Sequence, residues 1–237
     1  MAELNRVIAT PLAICNDLAT IRTSSADCAK RIHPALPVQD VTLLGDPEDY
    51  AHKSVGFNLG SLGIAIGLGS PFRYQVDDHK LSCFHFSFGG QAFIEIGGKH
   101  FEANLERPAI YLPGEAYRCE IHQPHGLVIT TQVERLAAEA LLMAEQAGLD
   151  GLDLSSLQRP LAIGPTRMAH SQLLKLMRKT LSLLDWADAT QGLAPRPGLD
   201  SASAGGLGPG QDGAIASLIC RQIAAMVYPQ LVEGPRR

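Results

Sequence analysis

Hydrophobic residues between Val38 and about Thr131 fall in short runs that are separated by clusters of Gly, Pro and Asp. Runs of this kind predict short antiparallel strands in a sandwich or a barrel. The alternation is strict in the segment CFHFSF, residues 83–88, where every second side chain is aromatic. Because successive side chains of a strand point to opposite faces, this segment predicts a strand with one buried aromatic face, formed by Phe84, Phe86 and Phe88.

Beyond residue 132 the hydrophobic positions recur with the period of an amphipathic helix. One helix is predicted over residues 133–147, ended by Gly148, and a second begins near Thr166. The apolar stripe of the first helix consists of Val133, Leu136, Ala137, Ala140, Leu141 and Ala144. The stripe of the second consists of Leu173, Leu174, Met177, Leu181 and Leu184.

The C-terminal part begins with residues 189–213, which lack a hydrophobic period and are dense in Gly, Pro, Ala and Ser. This composition is typical of a linker or an exposed loop. A last amphipathic helix follows and stops at Pro229, and its stripe consists of Ile215, Leu218, Ile219, Ile223 and Met226.

These patterns predict a mainly β fold with helices (α+β) in four parts. An N-terminal helical segment and the β-rich part occupy 1–132, and a helical pair packed on them occupies 133–188. The linker or loop covers 189–213, and the terminal helix with its tail covers 214–237.

Composition narrows the possible functions. The chain has 237 residues, of which 46% are hydrophobic and 19% charged, as in ordinary globular proteins. Its formal net charge of -4 gives it no basic field with which to hold nucleic-acid phosphates. The five cysteines are an odd number without CxxC pairs, and the N-terminus is neither a signal peptide nor a membrane span. We therefore expect a cytoplasmic protein that does not bind a membrane.

Short strands joined by glycine corners, with LPGEAYR at the end of one of them, resemble the cupin or double-stranded β-helix barrel. The places at which that superfamily binds a metal ion fall here on Asp77, His79, Cys83 and Arg118. Only His79 matches the motifs, and a guanidinium offers no lone pair to a metal. We therefore expect no metal ion and no cofactor. His85 lies outside these places and is expected to be a hydrogen-bonded histidine of the barrel wall.

A more specific resemblance is carried by FHFSFGG, IYLPGEAYR and the strand-to-helix segment LVITTQVERLAAEALL. In this order they resemble the N-terminal ligand-binding and dimerisation domain of AraC-type transcription regulators over about residues 10 to 187. The resemblance implies a cupin-like barrel followed by an α-helical dimerisation segment, and a small-molecule effector. AraC-type regulators continue into two helix-turn-helix units, whereas one helix and VEGPRR follow the linker here, so DNA binding is expected only through a domain outside this chain.

The expected ligand pocket lies inside the barrel and has an apolar, aromatic wall with few polar groups. Arg118 is its expected polar contact with an acidic ligand; the alternatives are an ion pair with an internal carboxylate (Glu95, Glu102 or Glu120) and a side chain that reaches solvent at the barrel rim. The expected wall residues are Phe84, Phe86, Phe88, Ile94 and Tyr111, with Ile96 beside them.

A homodimer is expected through the two helices after residue 132, because the second helix carries Leu176 and Leu183 beside its main stripe. We expect no enzymatic activity, since no nucleophile, metalloprotease or phosphate-binding motif occurs in the chain. The alternative is a stand-alone cupin-like protein that binds a small molecule, or a metal-dependent enzyme.

Overall fold

A computed structural model describes residues 2–24, 36–164, 168–191 and 209–233. In the last two segments the side chains are described over 170–185 and 213–233. The expected start of the second helix near Thr166 and most of the expected linker lie outside the described residues.

The described residues form ten strands. They are β1 (Thr20–Arg22), β2 (Val38–Leu43), β3 (His52–Leu59), β4 (Leu62–Gly69), β5 (Phe72–Val76), β6 (Leu81–Ile96), β7 (Lys99–Ala103), β8 (Ala109–Leu112), β9 (Tyr117–Gln132) and β10 (Leu161–Ile163). All of them pair antiparallel in one sheet, in the order β1-β3-β4-β9-β6-β8-β10. Outside this path β2 pairs with β5, β5 with β9, and β7 with β6.

The two longest strands organise the sheet. β6 and β9 have 16 residues each and pair with one another from Leu81 opposite Gln132 to Ile96 opposite Tyr117. Both change direction at a bulge, where Gly90 and Gln123 have φ angles of 77° and 50°. One half of β9 consequently pairs with β5 and the other half with β4, so the sheet curves around an interior.

The sheet does not close into the expected barrel. Its end strands β1 and β10 pair only with β3 and β8, and each has three residues. Such short strands cover only part of their neighbours, which leaves the curved sheet open. The cupin-like α+β fold class is confirmed, whereas full closure of the barrel was a wrong expectation.

The curved sheet has a buried core on each side, although part of its outer face, at Arg73 and Arg118, is exposed. One face carries Leu62, Ile64, Ile66 and Leu68 of β4 and packs under the helices. The inner face carries a second cluster that includes Phe72, Tyr74, Cys83, Ile94, Ile96, Tyr117 and Cys119. The segment at residues 83–88 therefore has two buried faces where one was expected, because helices cover one side and the curved sheet itself covers the other.

The helices are α1 (Ala2–Ala9), α2 (Val133–Gln146), α3 (Met168–Gln191), α4 (Pro209–Val227) and α5 (Gln230–Glu233). Three 3-10 turns lie at Asn16–Leu18, Pro47–Asp49 and Leu154–Gln158. The predicted end of α2 is confirmed, since Gly148 follows the helix with a φ of 64°. The predicted stripe of α3 is buried at every position.

Two predicted stripe positions lie outside the core. Leu141 of α2 is 48% exposed, and Leu218 of α4 is 40% exposed. The buried face of α2 instead includes Glu139, whose Oε1 accepts a hydrogen bond from Ser217 Oγ at 2.6 Å. Its Oε2 accepts one from Arg221 Nε at 2.9 Å, so Glu139 joins α2 to α4.

The terminal helix α4 is an integral part of the helical layer. It packs against both α2 and α3, and its residues from Gln222 to Val227 are all buried. The apolar surface of the two preceding helices is therefore covered in large part by α4 of the same chain.

Candidate ligand-binding cavity

A half-open cavity lies on the inner side of the curved sheet. About 660 Å³ of unoccupied space lies between its walls, and this volume includes the part that is open to solvent. Residues from strands β3 to β7 and β9 line it. Its polar side chains are His52, Ser54, His85, Ser87, Gln91 and His125, and the aromatic side chains among its apolar residues are Phe72, Tyr74 and Phe86.

Strand β4 leaves room for the cavity by the alternation of large and small residues in LGIAIGLG. The large aliphatic side chains point towards the helices, so the inner face of β4 carries only glycine and alanine. A Cβ atom on Gly67 would lie 2.9 Å from Nε2 of His52, so the imidazole of His52 occupies the space that a larger residue would fill.

His52 opens strand β3 and is 5% exposed. Its ring meets the edge of Phe72, with 5.8 Å between ring centroids and an interplanar angle of 79°. Nδ1 is buried and has no hydrogen-bond partner among the described residues. Burial, with a smaller effect from the positive charge of Arg22, lowers the pKa of His52 from its usual 6.5 to about 4. The imidazole is therefore neutral at physiological pH.

Three other interior polar side chains have partners, whereas the buried Nε2 of His125 has none among the described residues. His85 is 6% exposed, and its Nε2 lies 3.3 Å from Oη of Tyr117, which agrees with the expected hydrogen-bonded wall histidine. Ser87 Oγ donates to the carbonyl of Gly89 at 3.1 Å. Ser54 Oγ accepts a hydrogen bond from Nη1 of Arg22 at 2.8 Å.

The interior thiols are unreactive. Cys83 and Cys119 are both fully buried in the inner core. Burial raises the pKa of each thiol to about 12, so both are protonated at neutral pH. They act as small apolar side chains beneath the cavity.

Of the residues expected to line a pocket, one borders this cavity. Phe86 borders the cavity, while Phe84 and Tyr111 lie in the core under the helices, and Phe88 packs against that core. Ile94 belongs to the inner core and is not one of the residues that line this cavity. The aromatic face of β6 was expected to face the pocket, but Phe84 and Phe88 lie on the side of the helices. Phe86 belongs to the same core, with Arg178 5.4 Å from its ring, and also borders the cavity.

Arg118 does not point into the interior. Its neighbours Tyr117 and Cys119 are buried in the inner core, so strand alternation turns Arg118 to the outer surface, where it is exposed. Its Nε lies 3.4 Å from Oε1 of Gln75, and it stands opposite Glu95 in the β6–β9 pairing. The expected role as an inward contact for an acidic ligand is therefore corrected.

Two of the four cupin metal places, His79 and Cys83, lie next to each other. His79 Nε2 lies 4.0 Å from Sγ of Cys83, and His79 Nδ1 accepts a hydrogen bond from the backbone of Leu81 at 3.2 Å. Within the described part of the chain, no group of three or more His, Cys, Asp or Glu side chains is arranged to hold a metal ion.

The sequence did not indicate that His52 and Ser54 line a cavity. A signal for this side of the cavity was present in LGIAIGLG, because a strand with one face of small residues leaves empty space above that face. His52 itself is the first residue of β3, and the residues around it do not mark it as part of a cavity. Its position over Gly67 follows from the pairing of β3 with β4.

The curved antiparallel sheet with its inner cavity and outer helical layer defines a cupin-like fold. A solved structure with this architecture is that of the AraC-like transcriptional activator CuxR, which covers 92% of this chain and 71% of its own, at 16% identity and a TM-score of 0.55. This likeness agrees with the family resemblance in the sequence at the level of the fold.

Two cupin domains match over shorter stretches. That of Cnp3 from Schizosaccharomyces pombe covers 43% of this chain and 74% of its own, with 9% identity and a TM-score of 0.29. Rru_A2000 from Rhodospirillum rubrum covers 47% and 90%, with 11% identity and a TM-score of 0.25. No protein-family model and no curated protein matches the chain. Among the described helices, none has the length and apolar character needed to cross a bilayer.

Proposed function

We propose that the chain is the effector-binding and dimerisation domain of an AraC-type transcription regulator that works in the cytoplasm. The observation that carries this proposal is the likeness to the AraC-like activator CuxR over 92% of the chain, a stretch long enough to include the helices as well as the sheet. DNA contact belongs, in this proposal, to a helix-turn-helix domain outside this chain. Reading the coding sequence beyond Arg237 tests that part directly.

The cavity supports the effector-binding part of the proposal. It combines an apolar wall with a few polar groups, which is the usual character of small-molecule sites. A panel of metabolites that covers anions, cations and uncharged compounds should contain a molecule that raises the melting temperature by mass action. The same molecule should have no effect on Ala92→Trp, which places a large ring at a half-buried position of the cavity wall. A panel without any hit would contradict effector binding.

We propose that a second copy of the chain covers the exposed leucines of α3. Leu176 and Leu183 are 45% and 47% exposed, and their seven-residue spacing places them on one side of the helix. A strip of this kind can pack against its own copy across a two-fold axis. Light scattering should show a dimer for the wild type and a folded monomer for the variant with glutamate at both positions. A wild type that is monomeric at high concentration would exclude this interface.

We propose a binding role without catalysis. The interior thiols are protonated, and His85 is engaged with Tyr117, so these side chains supply no activated nucleophile. Protein purified without an affinity tag should carry no stoichiometric zinc, iron or manganese. A metal ion that is lost on His79→Ala would favour the alternative of a metal-dependent enzyme.

A further inference from the structure

Two histidines that border the cavity, His52 and His125, each have a buried ring nitrogen without a hydrogen-bond partner among the described residues. Nδ1 of His52 has no hydrogen-bond partner among the described residues, although the side chain is 5% exposed. A buried polar group in this state costs free energy, and native proteins usually satisfy such groups. The imidazole of His52 borders the cavity and lies against Gly67 and Phe72, so its position is set by packing.

The remaining polar side chains of the cavity are less available to a ligand. Ser54 is engaged with Arg22, Ser87 with a backbone carbonyl, and His85 with Tyr117. Gln91 Nε2 lies 3.3 Å from Oε1 of Glu102. His125 also has an unpartnered ring nitrogen, Nε2, but the residue is half-buried, with its ring 5.8 Å from that of Phe88, and is therefore less enclosed than His52.

The charge of the cavity restricts the ligand further. None of the described residues that line it is Asp, Glu, Lys or Arg. Two charged side chains are hydrogen-bonded to lining residues: the guanidinium of Arg22 donates to Ser54, and the carboxylate of Glu102 accepts from Gln91. An ionised ligand would lose its hydration without a charged side chain of the lining in contact with it, which is unfavourable in an apolar site.

We infer that the cavity binds an uncharged organic molecule with an aromatic or other apolar body and one polar group that is hydrogen-bonded to His52. This inference rests on the proposed effector-binding function and specifies its ligand class. A neutral imidazole carries one N–H donor and one acceptor nitrogen, so a hydroxyl, a carbonyl or an amide can satisfy it. The glycine and alanine face of β4 and the rings of Phe72 and Tyr74 accommodate the apolar body.

Three probes of nearly identical shape test the charge preference: benzamide, benzoate and benzamidinium. Their binding to the full chain is measured by isothermal titration calorimetry at about pH 7.5, where the three are uncharged, anionic and cationic. Benzamide should bind at least about tenfold more tightly than either ion. His52→Phe keeps a ring at this position and should weaken benzamide binding about tenfold or more through the lost hydrogen bond. His100→Gln, at an exposed position of β7, should leave it unchanged.

The outcomes separate this inference from the proposed function. If benzoate or benzamidinium binds as tightly as benzamide, and Ala92→Trp abolishes that binding, the uncharged class is wrong while a ligand site in the cavity stands. Benzamide binding that is unaffected by His52→Phe overturns the role of His52. If benzamide does not bind at millimolar concentration the inference fails, and the effector-binding function fails with it only if the wider metabolite panel also shows no shift.

Discussion

Acidification should destabilise this protein through His52 in a window that is set by its lowered pKa. Burial, with a smaller contribution from Arg22 on β1, moves the pKa of His52 from 6.5 to about 4 in the folded state. Between these two pH values the unfolded chain binds more protons at this site than the folded chain. The free energy of unfolding therefore rises with pH across this window. The contribution of His52 is complete above pH 6.5 and is lost as the pH falls towards 4.

The size of the effect follows from the two pKa values. Each unit of difference corresponds to about 1.4 kcal/mol, so His52 alone should lower the free energy of unfolding by about 2 kcal/mol at pH 5. The loss should reach about 3 kcal/mol at pH 4. Because His52 is 5% exposed, solvent screening reduces these values little.

Urea unfolding followed by circular dichroism between about pH 7.5 and pH 5 measures this contribution as the difference between wild type and His52→Gln. The variant lacks the titrating group, so its free energy of unfolding should fall by about 2 kcal/mol less than that of the wild type over this range. His100→Gln, at an exposed site, should follow the wild-type curve. Parallel curves for wild type and His52→Gln would refute the idea that the folded structure holds this imidazole neutral.

Two further predictions concern the scaffold around the cavity, each with a matched control in urea unfolding. Glu139→Gln should lower the free energy of unfolding by about 1–3 kcal/mol, because the carboxylate is 8% exposed and accepts hydrogen bonds from α4. The control Glu145→Gln, at an exposed position of the same helix, should change it by less than about 0.5 kcal/mol. A loss that is equal in both variants would rule out the bridge between α2 and α4. Gly114→Ala should lower the free energy of unfolding by about 1–3 kcal/mol, because the added Cβ would lie 2.1 Å from the carbonyl oxygen of His79. In the control Gly45→Ala the added Cβ has no atom within 4 Å, so the free energy of unfolding should not change. Equal stabilities of the two alanine variants would contradict the close approach at Gly114.

Local patterns in the sequence were sufficient to predict most of the strands and helices. Alternation over residues 83–88 and the glycine-punctuated runs around it correspond to real strands, and the helical period after residue 132 corresponds to α2, α3 and α4. The end of α2 at Gly148 was also predictable, since only a few residues are involved. These features depend on interactions between residues that are close in the chain, so they appear in the sequence as periods and terminating residues.

Tertiary structure decided which of two buried faces borders the cavity and which side chains enter it. Phe84 and Phe88 face the helices, Arg118 faces solvent, and His52 lies over Gly67. The hydropathy pattern does not predict these orientations, because the two faces of a strand that is buried on both sides are equally hydrophobic. The choice depends on the bends of β6 and β9 and on the packing of α4, which lies far along the chain from the sheet that it helps to cover. Such contacts join residues that are distant in sequence, and a strand whose two faces are both buried carries no local mark of which face will be turned inward.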